Sequence, residues 1–252
     1  MRQTRRRVDW KRAFGAIRTL RLDSSRTEQV FELNVALDGG GAERHFQAFL
    51  AEPEGADQLV MQPDLEAKLA KFDELGALPG NTLGAAYVDL MRSGDYMADG
   101  LNEEARKVVE YAELYPGIAR DWFARRQACV HDLMHVVSGY GQDVAGETAL
   151  LAFTYGLFGR RLGLRVIRIG MLASVLTAPR GSVLKAARFS YAAYRRGRRA
   201  RIPFSFAWEQ ALVRPLDEVR KELCIEPVAA NHPRGVLVGS NDAPWQFAGV
   251  MT

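Results

Sequence analysis

The sequence predicts an all-α protein, a single-domain helical bundle organised around a central antiparallel helical hairpin. Three observations predict it. Alanine, leucine, arginine and glutamate dominate, and apolar residues recur at helical spacing. Strand signals are weak along nearly the whole chain. Residues that start and stop helices frame one segment after another. At 252 residues, 48% of them hydrophobic, the chain can bury a substantial core, and no internal repeat, low-complexity stretch or linker divides it.

The elements follow in order. Thr27 is placed to cap a helix through Leu37, ended by Gly39-Gly40-Gly41. Residues 45–52 read as a short helix before Pro53. Asp64 opens the next, with Leu65, Leu69, Phe72 and Leu75 as its apolar stripe and Gly76 as its stop. Thr82 opens a helix through Met91, and Asn102 one through Leu114, closed by Gly94 and Pro116. A central helix is expected over about Ile118–Ser138, and its partner starts near Asp143 and runs through Phe158. The loop Gly139-Tyr140-Gly141-Gln142 between them is short, which makes antiparallel neighbours. Further helices are expected over Leu162–Leu176, Val183–Arg199 and Pro215–Cys224. Residues 1–26 form a basic segment, 27–226 the helical domain, and 227–252, rich in Pro, Gly, Asn and Asp, an irregular tail.

The net charge of +4 hides a segregation. Residues 1–21 carry Arg2, Arg5, Arg6, Arg7, Lys11, Arg12, Arg18 and Arg21 against Asp9, a net +7. Residues 180–201 carry Arg180, Lys185, Arg188, Arg195, Arg196, Arg198, Arg199 and Arg201 with no acid, or +8, which leaves −11 for the remainder. Two cationic stretches on an acidic body point to an anionic surface, membrane headgroups before nucleic acid, because no nucleic-acid module is recognisable. No stretch is expected to span a membrane: the most apolar region, Thr148 to Thr177, is broken by Arg160, Arg161, Arg165 and Arg168. Residues 1–25 lack the apolar core of a secretory signal, and their arginines only loosely resemble a mitochondrial presequence. Two distant cysteines, Cys129 and Cys224, form no disulfide framework and fit a reducing compartment.

The residues that point to chemistry are His131-Asp132-Leu133-Met134-His135, with Glu147 twelve residues on. On a helix His131 and His135 lie one turn apart on one face, with Asp132 about 100° from the first and about 60° from the second. Gly139, Gly141 and Gly146 allow the chain to return with Glu147. Two imidazoles and two carboxylates around one point suit a divalent cation. The alternative is a polar network without an ion, which is costly in a low-dielectric interior unless every member is paired. The pattern differs from the HExxH of zinc peptidases, where a glutamate stands in place of Asp132. It differs too from HD-type phosphohydrolases, which need a separate upstream histidine; His45 stands in another context. Cys129, about 200° around the helix from His131, reads as core, and His232 as a surface residue.

The motif resembles the signature of the Coq-four family of ubiquinone-biosynthesis proteins. The resemblance rests on His131-Asp132-x-x-His135, eleven residues, then Glu147, and extends to Gly139-Tyr140-Gly141, Asp143, Gly146 and Ala149-Leu150-Leu151-Ala152-Phe153. A second stretch, Leu78-Pro79-Gly80-Asn81-Thr82-Leu83-Gly84, resembles the family as well. Gln142 stands where relatives often have arginine. The resemblance implies an α-helical homodimer, peripheral to the membrane that holds ubiquinone intermediates. It implies a divalent ion, zinc, manganese, iron, cobalt or magnesium, on His131, Asp132, His135 and Glu147. It also implies decarboxylation and hydroxylation at carbon 1 of a polyprenylated 4-hydroxybenzoate, with dioxygen as co-substrate. The other function it implies is a non-catalytic lipid-binding scaffold for the other biosynthetic enzymes. The expected location is the inner membrane of a bacterium on its cytoplasmic side, the alternative being the matrix side of the mitochondrial inner membrane.

A prenyl tail needs an apolar path. Phe153, Leu157, Phe158, Met171, Leu172 and Val175 follow the motif and are candidates to line it, or to form plain bundle core. On a wheel for 183–199, Val183, Ala187, Tyr191 and Tyr194 gather on one side and Lys185, Arg188, Arg195, Arg196 and Arg199 on the other. That pattern fits a helix lying on anionic lipid, or a solvated basic face.

Overall fold

In the computed structural model, residues 8–22, 32, 35–93, 117–142, 144–162 and 183–228 are described. Among them every regular element is helical, and the only β pairing is an isolated bridge between Thr82 and Pro215. The helices are α1 (Trp10–Leu22), α2 (Gly41–Leu50), α3 (Pro53–Met61), α4 (Leu65–Leu69), α5 (Phe72–Gly76), α6 (Leu83–Ser93), α7 (Ile118–Ser138), α8 (Val144–Leu162), α9 (Val183–Arg199), α10 (Trp208–Ala211) and α11 (Leu216–Glu222). The helices expected over 102–114 and 162–176, most of that over 27–37, and most of the C-terminal tail lie outside the described residues.

Two of the early boundaries differ from expectation. Pro53 follows the end of α2, as expected, but it also opens α3, where its missing N–H costs nothing and its fixed φ suits the first turn. The run from Asp64 to Gly76 is two short helices instead of one. Asp64 caps the first through a 2.8 Å bond from the Ala67 N–H, and the chain restarts at Phe72. Helix α7 has the expected limits because two glycines at positive φ, Gly117 (φ 92) and Gly139 (φ 78), bracket it.

The central hairpin takes a different form. Helix α7 meets α8 sparsely, and α8 packs along its length on α9. Both helices carry small residues on the shared face: Ala149, Ala152, Gly156 and Gly159 on α8, and Ala186, Ser190, Ala193 and Gly197 on α9, all buried. A Cβ on Gly156 would lie 2.2 Å from the Tyr194 carbonyl oxygen, and one on Gly197 1.9 Å from that of Phe153. That order of facing residues is antiparallel. The backbones therefore nearly touch, and α8 has its close partner 20 to 50 residues downstream rather than in the helix before it.

Helix α7 is the axis of the rest. Its Leu133, Met134, Val136 and Val137 enter the main core with Leu83, Val88, Leu150, Phe153, Trp208 and Val219. Its Phe123 joins Phe46, Phe49 and Phe204 in a smaller aromatic core. Charged contacts fix it from outside. Arg126 and Glu209, both buried, form an ion pair between α7 and α10, and Arg126 Nη2 also donates to the Phe206 carbonyl at 3.1 Å. Arg120 donates two bonds to Glu43 of α2, at 2.8 and 3.0 Å. Arg220 of α11 donates from Nε to the Val137 carbonyl and from Nη2 to that of Val136, both at 3.0 Å. These are last-turn carbonyls, which have no helical donor, at the negative end of the helix dipole. Arg220→Met should therefore destabilise the fold by about 2 kcal/mol, read as a lowered urea midpoint at unchanged slope.

Candidate metal centre

The last two turns of α7 carry the histidines. His135 is fully buried and His131 is 44% exposed in its side chain. After Ser138 the chain reverses at Gly139, and the Tyr140 carbonyl returns to within 3.0 Å of His135 Nδ1. A carbonyl only accepts, so Nδ1 carries a proton and Nε2 is the ring atom turned to the cluster. Tyr140 is held for this by burial of its ring against Phe153 and Phe189 and by its hydroxyl, 3.5 Å from Arg196 Nη1. Burial pushes the Tyr140 phenol above its ordinary pKa, with Arg196 opposing. The return loop is tight: a Cβ on Gly146 would lie 2.0 Å from the Gly141 carbonyl oxygen.

That loop delivers Glu147 in the first turn of α8, where the helix dipole favours a carboxylate. Its Oε1 lies 3.1 Å from His135 Nε2 and its Oε2 3.4 Å from His131 Nε2, and the two Nε2 atoms are 3.3 Å apart. Burial raises the Glu147 carboxyl, but hydrogen bonds and charge from the two histidines outweigh it and hold it at about 2. With Nδ1 given to the Tyr140 carbonyl, a carboxylate 3.1 Å from Nε2 calls for a positive charge between them, either a second proton on the ring, the charge that lowers Glu147, or a metal ion. A proton joins two of the corners. A metal ion joins all three: ligands 2.0–2.1 Å from one ion at octahedral or tetrahedral angles stand about 2.9–3.4 Å apart. The 3.1 and 3.4 Å spacings use different oxygens of Glu147; with one donor atom per residue the three lie within 4.8 Å of one another, so an ion draws them together by a small turn of the carboxylate.

Among the described residues, the cluster whose ligand atoms lie within 4.8 Å of one another is His131, His135 and Glu147. Asp132 is not one of its members. It is buried at 6% exposure while His131 beside it is half exposed, which follows from the 100° that separates neighbours on a helix. The described structure thus gathers three of the four expected ligands. Cys129 packs against the core, as its position on the helix led us to expect.

Beside the cluster lies a cavity of about 200 Å³, with His131, Val130 and Met134 of α7 on one wall and Phe158 of α8 on another. Of the residues considered for a lipid path, Phe158 therefore faces a cavity. Phe153 is fully buried in the core and Leu157 packs partly against it, while Met171, Leu172 and Val175 lie outside the described residues.

Sequence reasoning overlooked His45, which lines this cavity. Its ring sits among Phe123, Phe204 and Phe158, with centroids 5.0, 4.9 and 6.1 Å away. Those partners come from three distant segments, so nothing local marked it. Burial lowers its pKa to about 4. The sign for stability is clear. Below pH 6.5 the unfolded chain takes up a proton that the folded one refuses until about pH 4, so stability falls as pH falls through this window. His45→Leu should remove a slope that totals on the order of 3 kcal/mol in wild type, measured by urea titrations between pH 7 and pH 4.

Residues 18–229 match the family described as Coenzyme Q (ubiquinone) biosynthesis protein Coq4. The chain belongs to this family. Among curated proteins, it is 28% identical over 189 residues to "Ubiquinone biosynthesis protein COQ4, mitochondrial" of Ajellomyces capsulatus, covering 75% of this chain and 64% of that one. It is 29% identical over 175 residues to the Danio rerio COQ4 homolog, covering 69% and 60%. The chain thus spans somewhat under two thirds of the length of these relatives. A crystal structure from Nostoc punctiforme PCC 73102 shares the fold with a TM-score of 0.59 and 21% identity, over 86% of this chain and 98% of that one. The family is described as one of coenzyme Q (ubiquinone) biosynthesis proteins.

On α9 the face packed against α8 is the small-residue stripe, and Tyr194 lies beside it with its ring 6.1 Å from that of Tyr155 of α8, whereas Tyr191 points outward. Tyr191 and Leu184 are each 61% exposed, among exposed Lys185, Arg188, Arg195 and Arg199, and Arg196 is half-buried. No helix among the described residues is long and apolar enough to cross a membrane.

Proposed function

We propose that this Coq4 protein is a metal-dependent oxidative decarboxylase of ubiquinone synthesis, acting at ring carbon 1 of a polyprenylated 4-hydroxybenzoate. The observation that carries the reading is the meeting of His131 Nε2, His135 Nε2 and Glu147 at spacings suited to one ion. Bound there, a divalent ion supplies a Lewis acid for the substrate carboxylate. The chain supplies the rest. Tyr140 orients the His135 ring, Glu147 brings a carboxylate to both imidazoles, and the half-exposed His131 opens the cluster to the apolar cavity. In the net reaction the carboxyl group leaves as carbon dioxide and one atom of dioxygen becomes the ring hydroxyl oxygen. The other atom leaves as water, with two protons and two electrons from a reduced flavin or nicotinamide.

The basic, tyrosine-bearing surface of α9 supports docking on anionic lipid, where such a substrate resides. The relatives are named as mitochondrial proteins, which favours the alternative location, the mitochondrial inner membrane, over a bacterial one. The test is direct. Metal-defined protein, incubated with a prenylated 4-hydroxybenzoate, dioxygen and a reduced flavin, should convert it to a product with carboxyl replaced by hydroxyl, read by mass spectrometry. No conversion with any divalent ion, while the lipid still binds, would replace the enzyme by a carrier.

A further inference from the structure

We propose that Glu52 is a positioning residue for the cavity beside the metal-ligand cluster, fastening from the start of α3 the segment 202–206 that forms the cavity's outer lip. Glu52 occupies the N-cap of α3, where a side chain ordinarily bonds the first N–H groups of its own helix. It makes no such bond. Its Oε1 instead accepts from the Phe204 N–H at 3.0 Å, and its Oε2 from the Ser205 N–H and hydroxyl, both at 2.7 Å. Gln58, further along α3, donates to the Ser205 carbonyl. Among the described residues these bonds, with a long one from the Ser205 hydroxyl to Glu54, are the hydrogen bonds that tie 202–205 to distant parts of the chain.

The fastened segment borders the cavity. Ile202, Pro203 and Phe204 line it, and the Phe204 ring lies stacked on that of Phe158, with centroids 4.4 Å apart. Of the lining residues Pro203 and His131 are exposed and the others are buried or half-buried. The opening therefore lies between this lip and a member of the metal-ligand cluster. Helix α9 ends at Arg199, just before the lip begins, so a ligand drawn from a bilayer under α9 reaches the cavity past it. That occupant rests on the function proposed above; the fastening of the lip does not. A carboxylate suits the task because three donors point at it and it carries no hydrogen of its own. Glutamine in its place turns an NH2 group toward one of the two backbone N–H groups, so even an isosteric change unfastens the lip.

The test uses the full chain loaded with zinc and a geranylated 4-hydroxybenzoate as probe, with affinity from calorimetry and amide exchange from NMR. In Glu52→Gln, exchange at Phe204 and Ser205 should quicken about tenfold or more while that of α7 stays unchanged. The probe should bind about tenfold more weakly at undiminished zinc content. Ser205→Ala removes only the hydroxyl bond; it should show both effects to a lesser degree, and it replaces Glu52→Gln should that variant not fold. Glu54→Gln, which takes away a neighbouring charge and leaves the backbone bonds in place, should match wild type. A merely structural Glu52 would lower stability and speed exchange throughout the fold with no selective loss of affinity. That result, undiminished affinity in Glu52→Gln, or a wild type that does not bind the probe overturns the assignment. Binding without turnover, with the variants ranked as stated, removes the enzymatic reading and leaves Glu52 in its role.

Discussion

Dialysed against zinc or manganese and washed, the wild-type protein should retain about one ion per chain, and His135→Ala should retain essentially none. Its Nε2 lies 3.3 Å from that of His131 and 3.1 Å from Glu147, so its loss removes one of three corners and leaves a void in the core. Loss of groups that merely orient a ligand costs about 10- to 100-fold in metal affinity, and loss of a ligand should exceed that. Glu147→Gln should show the same loss with less damage to the fold, because its shape is preserved and the side chain is 37% exposed. Turnover of the proposed reaction should disappear in both. Asp132→Asn should lose less affinity than either, since Asp132 stands outside the cluster. Elemental analysis by mass spectrometry checks all three variants, and full metal content in His135→Ala would remove the centre.

The second large effect concerns Gly197. Alanine in place of glycine ordinarily stabilises a helix by about 1 kcal/mol. At Gly197 the new methyl would fall 1.9 Å from the Phe153 carbonyl oxygen, which is backbone and cannot swing away. Helices α8 and α9 would have to separate along their whole contact, so Gly197→Ala should cost about 3 kcal/mol. Gly15→Ala in α1 is the internal control: no atom lies within 4 Å of its would-be Cβ, and it should be neutral or stabilising. Thermal unfolding of the pair should move in opposite directions. Similar behaviour would mean that the α8–α9 contact is looser than it is here. Because α8 carries Glu147, Gly197→Ala should also weaken metal retention.

What the sequence disclosed follows from how local each signal is. The limits of α7 were legible because capping glycines act within a turn of where they stand. The meeting of His131, His135 and Glu147 was legible because helical spacing and a short glycine-rich return fix it. Pro53 marked the end of α2 before it, but not that it also opens α3, because proline suits the first turn of a helix as well as the stretch after one. The partner of α8 was misassigned because a short loop suggests adjacency, while a stripe of small residues on two separated segments decides it. Asp132 shares a helix with the cluster but not its direction, a distinction that a wheel drawn to within 60° does not resolve. His45 had no local signature at all, since Phe123, Phe158 and Phe204 gather around it only once the chain has folded.

The restraints on α7 come from the far end of the chain: Glu209 grips Arg126, and Arg220 holds the carbonyls of Val136 and Val137. Backbone bonds from Leu83 to Arg214, Gly84 to Leu212 and Leu216 to Asn81 tie the same late region to α6. A nascent polypeptide therefore emerges with its histidines long before the residues that lock them in position have been synthesised. A chain stopped near residue 205 would lack both Glu209 and Arg220 and should leave the histidine-bearing helix without the contacts that fix its last turns.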